Sequence, residues 1–320
     1  MFILIIILAV GFAVINGFND AANAVATVIG TRVLSPLKAV LMAAVFNFIG
    51  AATGVAVAVT IGKGIVAPEY LSYGVIIAAL ITVILWGFTA TYLGLPISIS
   101  HAFVAGLIGA GIASASSVAI VWNTFIKVVS SVAIAPALGF AGGFALMVAL
   151  LWILRRRAPL KVEGFFGKLQ ILSSAFMAYA HGKNDGQMPI GIMAMALAIH
   201  SGGEFHIPFW IIALSAISIS FGTLFGGWRV IRTLGMKITA LRPVQGFAAI
   251  GSAAAVVESA SALGIPVSTT HCVSSAVMGV GATKRLSAVR WGVAGRIVTA
   301  WILTFPICGG LGWMFGKLLT

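Results

Sequence analysis

Two of the six carboxylates in this 320-residue chain follow an asparagine inside apolar sequence: Asn19-Asp20 in "GFNDAANA" and Asn184-Asp185 in "HGKNDGQMP". A carboxylate at membrane depth is expensive and marks a functional position by default. Carboxylate and amide oxygens, with backbone carbonyls freed by an unwound helix, form a hard ligand set suited to a cation. Two other readings stay open: each Asp is a reversible proton carrier, or each caps a helix that starts at Ala21 or Gly186. A second pair of elements, "PISISH" (96–101) and "PVSTTH" (266–271), places the hydroxyls of Ser98, Ser100, Ser268, Thr269 and Thr270 ahead of His101 and His271. Proline fits the first turn of a helix. A helix N-terminus presents free N–H groups and a positive dipole end to an oxyanion, and hydroxyls add donors. The competing reading is Ser/Thr bonded back to helix carbonyls, or small residues at helix contacts.

These residues need elements that hold them at depth. The chain is 61% hydrophobic and 8% charged, against about 25% charged in soluble domains. Its apolar runs reach the roughly 20 residues that cross a bilayer, and it lacks the short alternating segments of a membrane barrel. The fold class is therefore an all-α polytopic membrane protein. The 19 Lys and Arg exceed the 6 Asp and Glu by 13. They cluster in short connections, such as Arg155-Arg156-Arg157 and Arg229, Arg232, Lys237 and Arg242. That is the pattern of cytoplasmic loops, not of a nucleic-acid surface. Cys272 and Cys308 have no metal or disulfide spacing. The first segment lacks a basic leader and a small-residue cleavage site, so it reads as a retained helix.

The chain is written twice. "GLPISISHAFVAGLIGAG" (94–111) aligns without gaps on "GIPVSTTHCVSSAVMGVG" (264–281), an offset of 170, and the Asn-Asp pairs lie 165 apart. Two halves, 1–155 and 165–320, are joined by a basic connection at 156–164. Each half is predicted to hold a first span broken at Asn-Asp (2–30; 166–199) and two plain spans (36–61 and 71–93; 208–228 and 246–262). A re-entrant helical hairpin at the Pro-Ser/Thr element and two closing spans (117–134 and 137–154; 287–304 and 306–319) complete it. Five crossings per half force the second half in upside down. Such inverted repeats are the ground plan of many secondary transporters, with the substrate near the midplane. Loop charges put the N-terminus outside, although Lys284, Arg285 and Arg290 break that rule.

Other polar residues are less telling. His181, like His101 and His271, reads equally as a core or a site residue. Glu258 falls within a predicted span, as a cation or proton site or as a group facing water. His200, Glu204 and His206 read as a solvated outer loop rather than a metal site. A hydrolase is excluded, because Ser and His are duplicated symmetrically and no G-x-S-x-G elbow occurs.

The motifs "GFNDAANAVATVIGT" and "YAHGKNDGQMPIG", followed by "PISISH" and "PVSTTH", resemble the inorganic phosphate transporter (PiT) family across essentially the whole chain. The resemblance implies cation-coupled symport of inorganic phosphate by alternating access, on an inverted repeat that is often dimeric. It implies a cation, Na+ or H+, at Asn19, Asp20, Asn23, Asn184, Asp185 and Gln187, with Na+ itself at the two Asn-Asp pairs. Phosphate would be held by Ser98, Ser100, His101, Ser268, Thr269, Thr270 and His271. Its expected partners are phosphate, a monovalent cation, the bilayer of the cell membrane and a second copy of the chain, with no resident cofactor. Sulfate transport on the same fold and a passive anion channel are the alternatives. The second motif departs from the family pattern: Met188 stands where Asn23 stands in the first, with Gln187 beside it. The long hydrophilic centre of many members is absent, which implies a short microbial form.

Overall fold

The computed structural model describes residues 1–320, the side chain of Lys63 excepted. The first half comprises α1 (Phe2–Gly30), α2 (Pro36–Ala52), α3 (Ala56–Gly64), α4 (Tyr73–Leu93), α5 (Ile99–Ala115) and α6 (Trp122–Leu154). The second comprises α7 (Pro159–Asp185), α8 (Gln187–Ser201), α9 (Phe209–Phe225), α10 (Trp228–Arg232), α11 (Pro243–Ala262), α12 (Thr269–Lys284) and α13 (Trp291–Leu319). A π-helical turn, Thr233–Lys237, extends α10.

Helices α1, α4, α6 and α13, and α5 with the turn after it, are each long and apolar enough to cross a membrane. Two bent pairs add up to two more spans: α2–α3 at 67° and α9–α10 with its π-turn at 61°. Leu138, Phe88, Ile302 and Trp313 lie exposed on the outside, an arrangement that suits lipid and not water. The long α7 carries buried polar residues, among them Gln170, His181, Asn184 and Asp185.

Three sequence expectations are corrected. The closing spans predicted at 117–134 and 137–154, and at 287–304 and 306–319, are single helices that run through Pro136 and Pro306. A proline removes one backbone hydrogen bond, whereas ending a helix in hydrocarbon strands up to four groups on each side. Continuation is cheaper, and 33 residues make α6 about 50 Å long. The chain does not unwind at Asn19-Asp20, because α1 is continuous through them. In the second half only Gly186 interrupts the helices, with helical φ −64° and ψ −22°. Neither Asp caps a following helix, and no unwound carbonyls join them. Pro96 and Pro266 also sit outside the first turn. Each lies in an extended stretch between a left-handed glycine, Gly94 (φ 71°) or Gly264 (φ 67°), and the helix that Ser98 or Ser268 caps.

Contacts cross between the halves in matched pairs. Helix α1 packs on α9 as α7 packs on α2, and α5 packs on α13 as α12 packs on α6. The first two crossings are glycine contacts. A Cβ on Gly17 would lie 2.0 Å from Ile219 O, and one on Gly222 2.0 Å from Val14 O. At the equivalent crossing, Gly182 would meet Asn47 O at 2.2 Å and Gly50 would meet Tyr179 O at 2.0 Å. Backbones in direct contact fix Asn19-Asp20 and Asn184-Asp185, which follow two residues after Gly17 and Gly182.

Candidate functional site

Helices α5 and α12 start in the interior, and each start is built the same way. The Ser98 hydroxyl accepts from the His101 N–H at 3.2 Å, and that of Ser268 from the His271 N–H at 3.1 Å. Such a cap satisfies one of the first-turn donors. Each preceding turn is tied down by a threonine of the opposite half: Thr233 Oγ1 lies 3.0 Å from Gly94 O, and Thr60 Oγ1 2.8 Å from Gly264 O.

The hydroxyl of the second residue in each helix reaches the carboxylate of the other half. Ser100 donates to Asp185 Oδ1 at 2.5 Å. Thr270 donates to Asp20 Oδ1 at 2.9 Å. Thr269 Oγ1 lies 3.0 Å from Asp185 Oδ2 and 3.4 Å from Asp20 Oδ2, between the two acids. Asn23 Nδ2 donates to the Thr269 and Thr270 oxygens at 3.1 and 2.9 Å, orienting both hydroxyl protons toward the carboxylates. Asn184 Nδ2 donates to Val267 O at 2.7 Å and lies 3.3 Å from Asp185 Oδ1.

Sequence reasoning left His181 unassigned, and it stands at the centre. Its Nε2 lies 3.3 Å from Asp185 Oδ2 and 3.6 Å from Asp20 Oδ2, while Nδ1 meets Asn47 Oδ1 at 2.8 Å. Asn47 in turn donates to Thr223 Oγ1 at 2.8 Å, fixing its amide. One ligand atom each from Asp20, His181 and Asp185 falls within 4.8 Å of the others, and all three residues are buried. The available signal was the i, i+4 spacing of His181 and Asp185 on α7, which puts them on one helix face.

The remaining predicted residues lie in different settings. Asn19 donates to Thr91 Oγ1 at 2.7 Å, and the Oδ1 atoms of Asn19 and Asn23 are buried without a partner. Gln187 is turned away: its Oε1 accepts the Val57 and Ala58 N–H groups at 2.7 and 3.2 Å, at the start of α3. His101 and His271 face each other with ring centroids 5.0 Å apart, His271 stacking on Trp301 at 4.0 Å. Their ring nitrogens are buried with no hydrogen-bond partner within the chain. Glu258 pairs with Lys183, both partly buried. Glu204 and His206 are exposed.

The arrangement offers two carboxylates, an imidazole and spare amide oxygens for positive charge, next to two helix starts and three hydroxyls that suit negative charge. Comparisons with known proteins point the same way. Residues 16–312 match the family described as "Phosphate transporter family" (PHO4). The chain is 44% identical over 94% of its length to a "Probable low-affinity inorganic phosphate transporter" of Rhizobium meliloti (strain 1021), covering 91% of that protein. Against the protein of the same description from Bacillus subtilis (strain 168), identity is 41%, with 97% and 94% covered. A solved structure described as "The sodium-dependent phosphate transporter" superposes with a TM-score of 0.90 at 30% identity, over 99% of this chain and 98% of that one. These relatives are transporters and not enzymes, and with its apolar outward-facing helices this chain is an integral membrane protein that belongs to the phosphate transporter family.

Proposed function

We propose that the chain carries inorganic phosphate across the cell membrane by cation-coupled symport, with alternating access between two inverted repeats, 1–155 and 165–320. The observation that carries this reading is the crossed bonding at the centre: Ser100 of the first half on Asp185 of the second, and Thr270 of the second on Asp20 of the first. The matched crossings of α1 on α9 and α7 on α2 support the repeat.

The crossed bonds also supply a coupling route. Ser100, Thr269 and Thr270 each have one proton to donate, and all three point at carboxylates. A cation taking the oxygens of Asp20 and Asp185, with Asn19 and Asn23 contributing their spare oxygens, frees those hydroxyls. They then donate to phosphate at the starts of α5 and α12, beside the unpartnered rings of His101 and His271. Each ligand thereby improves the site of the other, which is the reciprocity that symport needs.

Sodium is supported by the oxygen-rich set and by the sodium dependence of the solved phosphate transporter that superposes on this chain. One observation favours a proton instead: His181 Nε2 faces both acids, and a hard alkali cation prefers oxygen to imidazole nitrogen. A homodimer, which the family resemblance implies, leaves each protomer with its own site, because one chain supplies every residue named.

The test is radiolabelled phosphate uptake into proteoliposomes under separately imposed Na+ and H+ gradients, with sulfate as competitor. Accumulation driven by one of the two gradients and resistant to sulfate supports the proposal and names the ion. Equilibration indifferent to both gradients means a passive channel, and equal competition by sulfate means a broader oxyanion carrier.

A further inference from the structure

The turn at Gly94 opens onto a basic cavity. A cavity of about 330 Å³ is bounded by Leu93, Gly94, Trp228, Arg229, Arg232 and Lys237. A second, of about 110 Å³, shares Gly94 and Lys237 and adds Pro96 and Arg296. No acidic residue lines either, and none of these four cations is in an ion pair among the described residues. Arg229 is held in place: its guanidinium lies over the Tyr92 ring at 4.3 Å and donates to Tyr92 O at 2.5 Å. Arg232, Lys237 and Arg296 are exposed around it.

The duplicated scaffold shows that the fold does not require Arg229 and Arg232, whereas Arg296 has a basic counterpart in Lys127. At the Gly264 turn the same threonine-to-carbonyl bond is made by Thr60, the counterpart of Thr233. Counting back from Thr60 as from Thr233, Ala56 and Val59 occupy the places of Arg229 and Arg232. One end of the molecule thus carries guanidinium groups where the other carries apolar side chains. Trp228, half exposed at the rim, is the residue type that sits at the level of lipid headgroups.

We propose that this basic pocket binds a phosphate group, separately from the central site. Arginine's planar fork suits phosphate oxygens bidentately, and basic pockets between membrane helices take anionic headgroups. The phosphate comes either from an anionic phospholipid or from free inorganic phosphate at the mouth of the 94–98 stretch. Both are the same chemistry to the pocket.

Native mass spectrometry of the purified full-length protein, titrated with phosphatidylglycerol and separately with inorganic phosphate, tests this. The proteins compared are wild type, Arg232→Gln/Lys237→Gln and Asp20→Asn. The expected result is one ligand at the pocket in both wild type and Asp20→Asn, in addition to any phosphate at the central site of wild type, with the pocket's ligand about tenfold or more weaker in the double variant. Retention of phosphatidylglycerol identifies a lipid site, and retention of inorganic phosphate identifies a capture site for the anion. If the double variant binds both ligands as wild type does, with unchanged circular dichroism, the pocket is not a phosphate site. Absence of both ligands from Asp20→Asn would equally overturn it, because all binding would then belong to the central site.

Discussion

At the centre of the molecule each hydroxyl has a single proton, and its destination decides what the site can hold. Thr270 gives its proton to Asp20 while accepting from Asn23, so replacing it removes a donor from one carboxylate and an acceptor from one amide. Thr270→Val is expected to lower phosphate uptake at least about tenfold, since each buried group left without a partner costs about 1–3 kcal/mol. Thr270→Ser, which keeps the hydroxyl, should retain most of it; initial rates over a phosphate series check both. The acids and the hydroxyls were legible in the sequence because each half repeats the pattern, and Asn23 through the family resemblance. His181 was not, for the same reason: at the 165-residue offset its counterpart is Asn16, and a search for matched pairs passes over a residue present in one half. Gln187 was misleading by adjacency, since its place beside Met188 implies a ligand, whereas its side chain closes the first turn of α3.

Among the elements, glycine contacts decide where the acids stand. The α1–α9 crossing leaves no room for a methyl group at Gly222, where the nearest atom is a backbone carbonyl oxygen. Gly222→Ala is expected to destabilise the protein by about 3 kcal/mol, at the upper end of ordinary overpacking. Gly295→Ala on α13, where a Cβ meets nothing within 4 Å, should be neutral or stabilising by up to about 1 kcal/mol. Thermal unfolding of the two variants in detergent compares them directly. An equal effect of both would contradict the close crossing. The helices themselves were readable from apolar run length, but their breaks were not. Pro136 and Pro306 read as ends of spans although they lie inside continuous helices. The real bends fall at Thr53–Val55, with Gly54 at φ +99°, and at Gly226–Gly227, with Gly226 at φ +57°. Membrane burial inverts the usual weights, because an interrupted ladder finds no water to bond.

For the whole molecule, the two halves share one site that neither half could build. Asp20 depends on Thr270, and Asp185 depends on Ser100, each across the boundary between halves. In the proposed cycle, a relative movement of the halves breaks and remakes those bonds, which would tie access to the occupancy of the carboxylates. At the same scale the basic pocket at Gly94 is one-sided, because the scaffold is repeated there while Ala56 and Val59 take the places of Arg229 and Arg232.

The central claim is that a cation at Asp20 and Asp185 releases the hydroxyls to phosphate. The most direct measurement is accumulation of radiolabelled phosphate by Asp20→Asn and Asp185→Asn proteoliposomes under the gradient that drives the wild type. Loss of concentrative uptake in each, about tenfold or more, with protein inserted in normal amount, is the predicted result. Wild-type accumulation by both variants would contradict the account.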